Sequence, residues 1–225
     1  MDPVHLQEFL SELYIGVHGL SLEAERAELR TVYRLGFTLE GMLKKMVEQP
    51  RLCTLSTLTA AAAALELLEQ LCRSGFDPNL AQPPIRLLVV DDDPVARRAI
   101  GGALQLVFGR PDSADSGEAA VALAGEKTFD LVFMDVLMPG MDGFTACAKI
   151  HETAPNRRTP VVFVTGHNDM DVRKQADAAG GCGFIPKPVL SSEITLTALT
   201  FILRARLDRF KTPQSAEPVS QPAPH

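Results

Sequence analysis

The sequence of 225 residues has no Cys-x-x-Cys pair, no long apolar run and no excess of positive charge. Its four cysteines lie scattered without metal-ligand spacing, at Cys53, Cys72, Cys147 and Cys182. We therefore expect reduced thiols that pack as small apolar groups. The longest apolar run, around residues 60–68, is too short to cross a bilayer. The net charge of −6 and the lack of a basic stripe argue against binding to nucleic acid or anionic lipid.

Two further patterns are missing from the chain. Charged residues interrupt the start of the sequence, at Asp2, His5, Glu8 and Glu12, so no segment there has the pattern of a signal peptide. Neither a P-loop nor a glycine-rich nucleotide loop occurs, which excludes a kinase of the usual ATP-binding types. We therefore expect a cytoplasmic protein that neither spans a membrane nor phosphorylates with ATP.

Residues 4–73 carry apolar side chains at helical spacing and almost no strand signal. The pattern predicts four amphipathic helices, and the short joints between them predict an antiparallel bundle over residues 1–73. The positions that define the four segments are Leu6, Phe9, Leu10, Leu13 and Tyr14; Leu29, Val32, Tyr33 and Leu35; Leu39, Met42, Leu43 and Met46; and Leu55, Leu58, Ala61, Leu65, Leu68 and Leu71. Pro50 follows the third segment, and Gly75 closes the fourth.

The pattern changes after a linker at residues 74–84, which contains the Pro83-Pro84 pair. Short apolar runs then alternate with helical segments, which predicts an α/β fold with a five-stranded, doubly wound parallel sheet over residues 85–210. The predicted strands are Ile85–Val90, Ser113–Asp115, Leu131–Met134, Val161–Val164 and Gly183–Ile185. The predicted helices are Pro94–Phe108, two that start near Gly117 and Asp142, Met170–Ala179 and Ser191–Phe210. Residues 211–225 are rich in proline, serine, glutamine and alanine and should form a disordered tail.

Polar residues follow four of the predicted strands. Asp91 and Asp92 come after the first strand, Asp135 after the third, Thr165 after the fourth and Lys187 after the fifth. The carboxyl ends of parallel strands share one edge of the sheet, and ligands bind at that edge. Acids, a hydroxyl and a lysine that converge there would suit the binding of a divalent cation and a phosphoryl group.

The motifs around these residues resemble those of the receiver domain of two-component response regulators. They are Val89–Pro94, Phe133–Gly140, Val162–Gly166, Phe184 and Lys187-Pro188. The run Met-Asp-x-x-Met-Pro-Gly-Met-Asp-Gly from Met134 is the most specific of them. The resemblance implies a flavodoxin-like sheet and a phosphoryl group carried on Asp135. Asp93 lies outside the usual acidic pair and is expected to start the first helix, with Pro94 at an early helical position.

The same resemblance implies a magnesium site and a switch. Mg²⁺ would be bound directly by Asp92 and Asp135, through water by Asp91, and by the backbone carbonyl of Leu137. Magnesium would also lower the electrostatic barrier to attack by the Asp135 carboxylate on a phosphoryl group.

Lys187 and Thr165 would contact the phosphoryl oxygens. Phe184 would follow Thr165 between outward and inward rotamers and so move the surface near the fourth helix, fifth strand and fifth helix of the α/β region. A cis peptide bond before Pro188 is plausible. The small Gly166 would leave room beside the acceptor.

Residues 32–41 resemble the central helix of histidine phosphotransfer domains. In that helix a phosphorylated histidine precedes a lysine and a glycine by three and four residues, but here Phe37 and Glu40 replace the histidine and the lysine. A phenyl ring has no nucleophilic nitrogen, so the resemblance implies a degenerate bundle kept for docking or assembly. A relay role for His18 or His5, or a generic helical hairpin that forms a homodimer, stays open.

These observations predict a response regulator that is not an enzyme and has no DNA-binding output. It would accept a phosphoryl group on Asp135 from a histidine kinase or a histidine phosphotransfer protein and then signal to a downstream protein target. One alternative is a phosphatase-like enzyme that uses the same acidic pocket. Another is a scaffold that works without phosphorylation. The sequence does not identify the kinase, the stimulus, the target or the oligomeric state.

Overall fold

The computed structural model describes residues 3–75, 84–166 and 174–211, apart from position 177. Five parallel strands form one sheet in the order β2-β1-β3-β4-β5. The strands are β1 Leu87–Val90, β2 Asp112–Ala114, β3 Leu131–Met134, β4 Val161–Thr165 and β5 Gly183–Pro186. The helices after residue 84 include α4 Pro94–Phe108, α5 Gly117–Glu126, α6 Gly143–Glu152 and α7 Ser191–Lys211, with a short 3-10 helix at Ala154–Asn156. The predicted five-stranded α/β fold is confirmed.

The central strands are apolar along their whole length because both faces of the sheet are covered. Every residue of β1, β3 and β4 is buried. One core cluster contains Val90, Met134 and Phe163, and the cluster on the other face contains Val89, Phe133 and Val164. β1 pairs with β2 on one side and β3 on the other, so the strand order reverses between β1 and β3. Ligands bind above such a reversal in open α/β sheets.

Side-chain caps fix where three of the helices begin. The Asp93 carboxylate accepts a hydrogen bond from the Val95 amide, and Pro94 occupies an early position of α4. Ser116 caps α5, and Asp142 caps α6. Each side chain satisfies an amide that has no partner within its own helix. The expectation that Asp93 starts a helix is therefore confirmed.

The N-terminal region is helical, as predicted, but the number of helices differs. Three α-helices precede residue 76, namely α1 Pro3–Arg26, α2 Arg30–Glu48 and α3 Leu55–Ser74, with a 3-10 helix at Pro50–Leu52. The prediction of four α-helices is wrong because its second and third segments form the single helix α2. Gly36 lies inside α2 where a Cβ atom would approach the Ser21 hydroxyl to 2.6 Å. This glycine allows close packing of α1 on α2.

The helix α3 is long and apolar enough to cross a membrane by length and composition. The sequence analysis considered only the apolar run at residues 60–68 and therefore expected no membrane-spanning segment. In the structure, six residues of α3 are buried, and five of them, Ala61, Ala64, Leu67, Leu68 and Leu71, belong to the core of the N-terminal helices. A Thr54–Thr57 capping box starts the helix, and Gly75 ends it with a φ of 63°. The apolar face of α3 therefore has partners within the protein.

The last helix of the α/β region also belongs to the core of the N-terminal helices. Leu196, Leu199, Leu203 and Leu207 of α7 are buried in one cluster with residues of α1, α2 and α3. Ile194, Ala198 and Ile202, on another face of α7, pack against the sheet. The sequence left open whether the N-terminal helices dock on the α/β region or dimerise, and the structure places them on α7. The boundaries of the independent folding units stay a prediction.

Three predicted segments lie wholly or partly outside the described residues. They are positions 76–83 of the linker, positions 170–173 and 177 of the helix expected at Met170–Ala179, and positions 212–225 of the tail. Residues 174–176 and 178 are helical.

Candidate phosphoryl and metal site

The three aspartates predicted to act together meet at the carboxyl edge of β1 and β3. Val90 pairs with Met134 in register, so Asp91 and Asp135 leave the sheet side by side. The Asp135 amide donates to the Val90 carbonyl oxygen at 2.8 Å. Asp91, Asp92 and Asp135 each offer a carboxylate oxygen within 4.8 Å of the others. Asp135 is more than forty positions from Asp91 and Asp92 in the sequence, and the sheet brings the three together.

The two strand-end carboxylates are buried while Asp92 is exposed. Asp91 is 0% exposed and Asp135 is 6% exposed. Burial raises the pKa of Asp91, and the neighbouring Lys187 only partly offsets this effect. Asp91 Oδ1 accepts from the Asp93 amide, and the buried Oδ2 lies 2.8 Å from the Lys187 ammonium. An acidic pocket of this kind fits a hard cation and its bound water.

Lys187 supplies the counter-charge to these carboxylates. Its Nζ donates to Asp135 Oδ2 at 2.9 Å and forms an ion pair with Asp91 Oδ2 at 2.8 Å. Burial lowers the pKa of Lys187, but the two carboxylates outweigh this effect and raise it above its ordinary value. The ammonium is therefore charged. The following peptide bond, Lys187-Pro188, is cis, as the sequence had indicated.

Replacing Lys187 with methionine should destabilise the protein in magnesium-free buffer. The substitution leaves two buried carboxylates without a cation, and breaking a buried ion pair by removing one partner costs about 3 kcal/mol. We expect a loss of unfolding free energy of this size in urea titrations followed by circular dichroism. Added Mg²⁺ should restore much of it, because the cation would take over part of the compensation.

Lys127→Met is the matched control for Lys187→Met. Lys127 pairs with Asp112 at 2.7 Å, but both side chains are about one-third exposed to solvent. Exposed pairs contribute less than about 1 kcal/mol. Equal losses for the two variants would contradict the buried role assigned to Lys187.

Three other predicted residues lie on β4, on β5 and in the loop after β3. Thr165 ends β4, is buried, and accepts a hydrogen bond from the Lys187 amide through its carbonyl at 2.8 Å. Leu137 lies in the loop two residues after Asp135 with 52% of its side chain exposed. Phe184 lies inside β5 opposite Phe163 and is half-buried against that face of the sheet. The metal role of the Leu137 carbonyl and the switching role of Phe184 stay predictions.

Two glycines shape the surroundings of Asp135. A Cβ atom at Gly143 would lie 2.1 Å from the Asp135 carbonyl oxygen, so only glycine lets α6 start this close to the acceptor. At Gly166 a Cβ atom would meet nothing within 4 Å among the described residues. The role of position 166 in leaving room for an approaching group stays a prediction.

The sequence analysis missed two side chains that hold the loops of the pocket. Arg97 of α4 donates to the carbonyl oxygens of Asp91 and Asp92. Glu118 of α5 accepts from the Met141 amide at 3.0 Å in the loop after β3. Neither residue belongs to a recognisable sequence motif. Arg97 follows the acidic pair by about one and a half helical turns, and that spacing could have indicated its contact with the pair.

A second missed set connects the N-terminal helices to β5 and α7. Ser56 Oγ in α3 is 3.2 Å from the carbonyl oxygen of Phe184 and also hydrogen-bonds a carboxyl oxygen of Glu193. Glu193 is buried in the first turn of α7, and burial raises its pKa while the Ser56 bond lowers it less. No local pattern links residues more than 120 positions apart, so only the fold could place this contact.

Phe37 and Glu40 of α2 stand at the positions where a phosphotransfer domain has its histidine and its lysine. Phe37 is 58% exposed and stacks on Tyr33 with ring centroids 5.8 Å apart. Glu40 contacts His18 Nδ1 at 3.1 Å, and the His18 ring stacks on Tyr14. Phe37 thus presents a ring to solvent where a phosphotransfer domain has its histidine. The resemblance to such a domain stays a prediction.

Known proteins resemble this chain over the α/β region. The signal transduction histidine-protein kinase BarA of Shigella flexneri is 37% identical over 103 residues, which are 46% of this chain and 11% of BarA. The transcriptional regulatory protein ResD of Bacillus subtilis is 32% identical over 120 residues, which are 53% of this chain and 49% of ResD. The chain thus spans about half or less of these relatives.

A solved structure and a family profile agree with these relatives. A putative response regulator from Chloroflexus aurantiacus superposes with a TM-score of 0.50 at 26% identity, over 53% of this chain and 98% of that one. The profile described as the response regulator receiver domain matches residues 87–199, from the start of β1 to the middle of α7. Through those residues the chain belongs to the response regulator receiver domain family.

Proposed function

We propose that this protein is a response regulator that accepts a phosphoryl group on Asp135. The proposal rests on a cluster of three aspartates at the carboxyl edge of the sheet, of which Asp91 and Asp135 are buried and Asp92 is exposed. Lys187 forms ion pairs with the two buried carboxylates. Receiver membership makes a histidine kinase or a histidine phosphotransfer protein the expected donor. We place the exchange in the cytoplasm, as the sequence predicts.

The chemistry requires one bond to form and one to break. An Asp135 carboxylate oxygen attacks phosphorus, the bond from phosphorus to the donor histidine nitrogen breaks, and the imidazole keeps the electron pair. Lys187 Nζ already lies 2.9 Å from Asp135 Oδ2 and can turn to a phosphoryl oxygen. Gly166 has no side chain and would leave space beside the acceptor for the incoming group.

The acidic group also fits Mg²⁺. Magnesium uses few protein carboxylates and keeps several waters, and one exposed and two buried carboxylates match that need. When bound, the ion would neutralise charge on the phosphoryl oxygens. We assign Asp92 and Asp135 as direct ligands, with the Leu137 carbonyl, and Asp91 as a ligand through water.

A turnover enzyme is the less favoured alternative. Hydrolysis at each cycle would use a general acid near the acceptor, and the position two residues after Asp135 carries the apolar, half-exposed Leu137. A scaffold that needs no phosphorylation would have no use for the costly burial of Asp91 and Asp135 beside Lys187. We therefore assign a stable acceptor rather than an enzyme.

The output would pass through the N-terminal helices. Ser56 of α3 contacts the Phe184 carbonyl and Glu193, and Arg204 of α7 pairs with Glu66 of α3 at 2.9 Å. A movement of β5 or α7 on phosphorylation would alter these contacts, and the exposed face of α1 and α2 would then meet the downstream partner differently. The absence of a DNA-binding output remains our expectation.

Incubation with acetyl phosphate and Mg²⁺ tests the proposal. We expect one phosphoryl group per chain, mapped to Asp135 by mass spectrometry, and almost none when EDTA removes the metal. Label that persists for minutes or longer supports the regulator. Rapid release of phosphate with no stable label would favour the enzyme, and no label with bound metal would favour the scaffold.

A further inference from the structure

A cavity of about 440 Å³ separates the first half of α3 from α7 and the edge strand β5. Ligand pockets in proteins fall in the range of roughly 300–1,000 Å³. The N-terminal helices contribute one wall, and the receiver contributes the others. The cavity lies away from Asp135, so it is not part of the phosphoryl site.

The walls of the cavity are mostly apolar. Leu55, Ala60 and Ala63 line it from α3, while Ile185 of β5 and Phe201 of α7 line it from the receiver. An apolar group that enters is removed from water and gains contacts that the walls otherwise lack. The shape and chemistry therefore favour a molecule with an apolar body.

One end of the cavity has a cationic group with an unused hydrogen-bond donor. Arg204 Nη2 donates to Glu66 Oε2 at 2.9 Å and approaches the Ala63 carbonyl oxygen at 3.5 Å. Its Nε is buried and has no acceptor among the described residues. A carboxylate matches the guanidinium edge, and the pair with Glu66 is exposed and therefore weak.

The other end of the cavity determines how the ligand would be oriented. Ser56 lines that end and hydrogen-bonds the buried carboxyl group of Glu193, which disfavours a second carboxylate there. Ser56 and Ala63 are seven residues apart on α3, which corresponds to about 10 Å along the helix. The head of the ligand would lie at Arg204 and its apolar end near Ser56.

We propose that this cavity binds a small, mostly apolar carboxylate that pairs with the guanidinium group of Arg204. The ligand would contact α3 and α7 together and would favour their docked arrangement. If the output passes through these helices, a consequence that rests on the proposed function, the ligand would also modulate signalling.

Octanoate and octylamine test the site because they share an apolar chain and differ in the charge of the head. Isothermal titration calorimetry on the full chain should show saturable binding of octanoate and none of octylamine. At ten times its dissociation constant, octanoate should raise the thermal midpoint by about 3 °C. Equal binding of both probes, or no binding of octanoate at millimolar concentration, would overturn the proposal.

Two variants locate the binding. Ala60→Leu fills the cavity and should abolish octanoate binding, whereas Ala62→Leu, exposed on the same helix and outside the cavity, should not change it. Arg204→Met keeps the apolar stem but removes the donor, and should weaken octanoate about tenfold. Arg209→Met is its control. Unchanged affinity in Ala60→Leu or Arg204→Met, with a native circular dichroism spectrum, would overturn the assignment.

The phosphoryl site is tested separately from this cavity. Asp135→Asn should bind octanoate as the wild type does, because Asp135 does not line the cavity. In the wild type, a lack of phosphoryl acceptance with octanoate binding retained would refute only the proposed function. Phosphoryl acceptance without octanoate binding would refute only the carboxylate site.

Discussion

Replacement of Asp135 with asparagine is expected to abolish phosphoryl acceptance from acetyl phosphate. The amide is a poor nucleophile toward phosphorus and carries no negative charge to help hold a cation. The variant should still fold, because asparagine has the same shape and its carbonyl oxygen can still accept from the Val136 amide. The hydrogen bond from Lys187 to the second oxygen is lost, but Lys187 keeps its ion pair with Asp91. Intact-mass spectrometry should show at least about a hundredfold less phosphorylated protein than for the wild type.

Asp115→Asn is the matched control for this experiment. Asp115 is exposed in the loop after β2, outside the described acidic group. Its variant should be labelled at the wild-type level. Labelling of Asp135→Asn to a similar extent would show that the phosphoryl group resides elsewhere, and the proposed function would fail.

The variant Asp135→Asn also tests the signalling step. Affinity capture with acetyl phosphate present should recover different partners, or different amounts of them, for the wild type and Asp135→Asn. Equal capture by both proteins would leave phosphorylation without an output and would contradict the switching part of the proposal.

Leu203→Ala should give the largest loss of stability. Leu203 of α7 is 0% exposed and belongs to the core that α7 shares with the N-terminal helices. Removing a buried leucine side chain loses its transfer free energy and leaves a cavity, which together cost about 2–5 kcal/mol. Urea titrations followed by far-ultraviolet circular dichroism should show a decrease of this size in the unfolding free energy.

Leu106→Ala is the control for Leu203→Ala. Leu106 lies on α4 with 89% of its surface exposed, so its truncation should change stability by less than about 0.5 kcal/mol. A loss below about 1 kcal/mol in Leu203→Ala would mean that the helices do not pack on α7 in solution. In that case the contact between Ser56 and β5 could not transmit a signal.

Local patterns were sufficient for most of the α/β region. The prediction of α4 at Pro94–Phe108 matches its observed bounds, because Asp93 can cap the helix and Pro94 cannot continue a strand. The β3 bounds at Leu131–Met134 also match. Asp91, Asp135, Thr165 and Lys187 could be singled out because each stands at or just after the end of an apolar run, and that position does not depend on distant contacts.

Other features depended on contacts that sequence spacing does not reveal. The sequence analysis assigned Leu35 and Leu39 to two separate helical segments. In the structure Gly36 lies inside the single helix α2, where Ser21 of α1 packs closely against it. Arg97 was missed because its contacts are backbone carbonyls, which any sequence supplies.

The sequence by itself determined that a parallel sheet would bring the acids and Lys187 to one edge, because alternating apolar runs and helices leave few other arrangements. Only the tertiary structure decided what covers α7. That helix has one apolar face toward the sheet and another toward α1–α3. Helical periodicity shows that a face is apolar, but the identity of its partner depends on burial between residues far apart in the chain. The joint core on α7, and the Ser56 contact with β5, therefore required the folded structure.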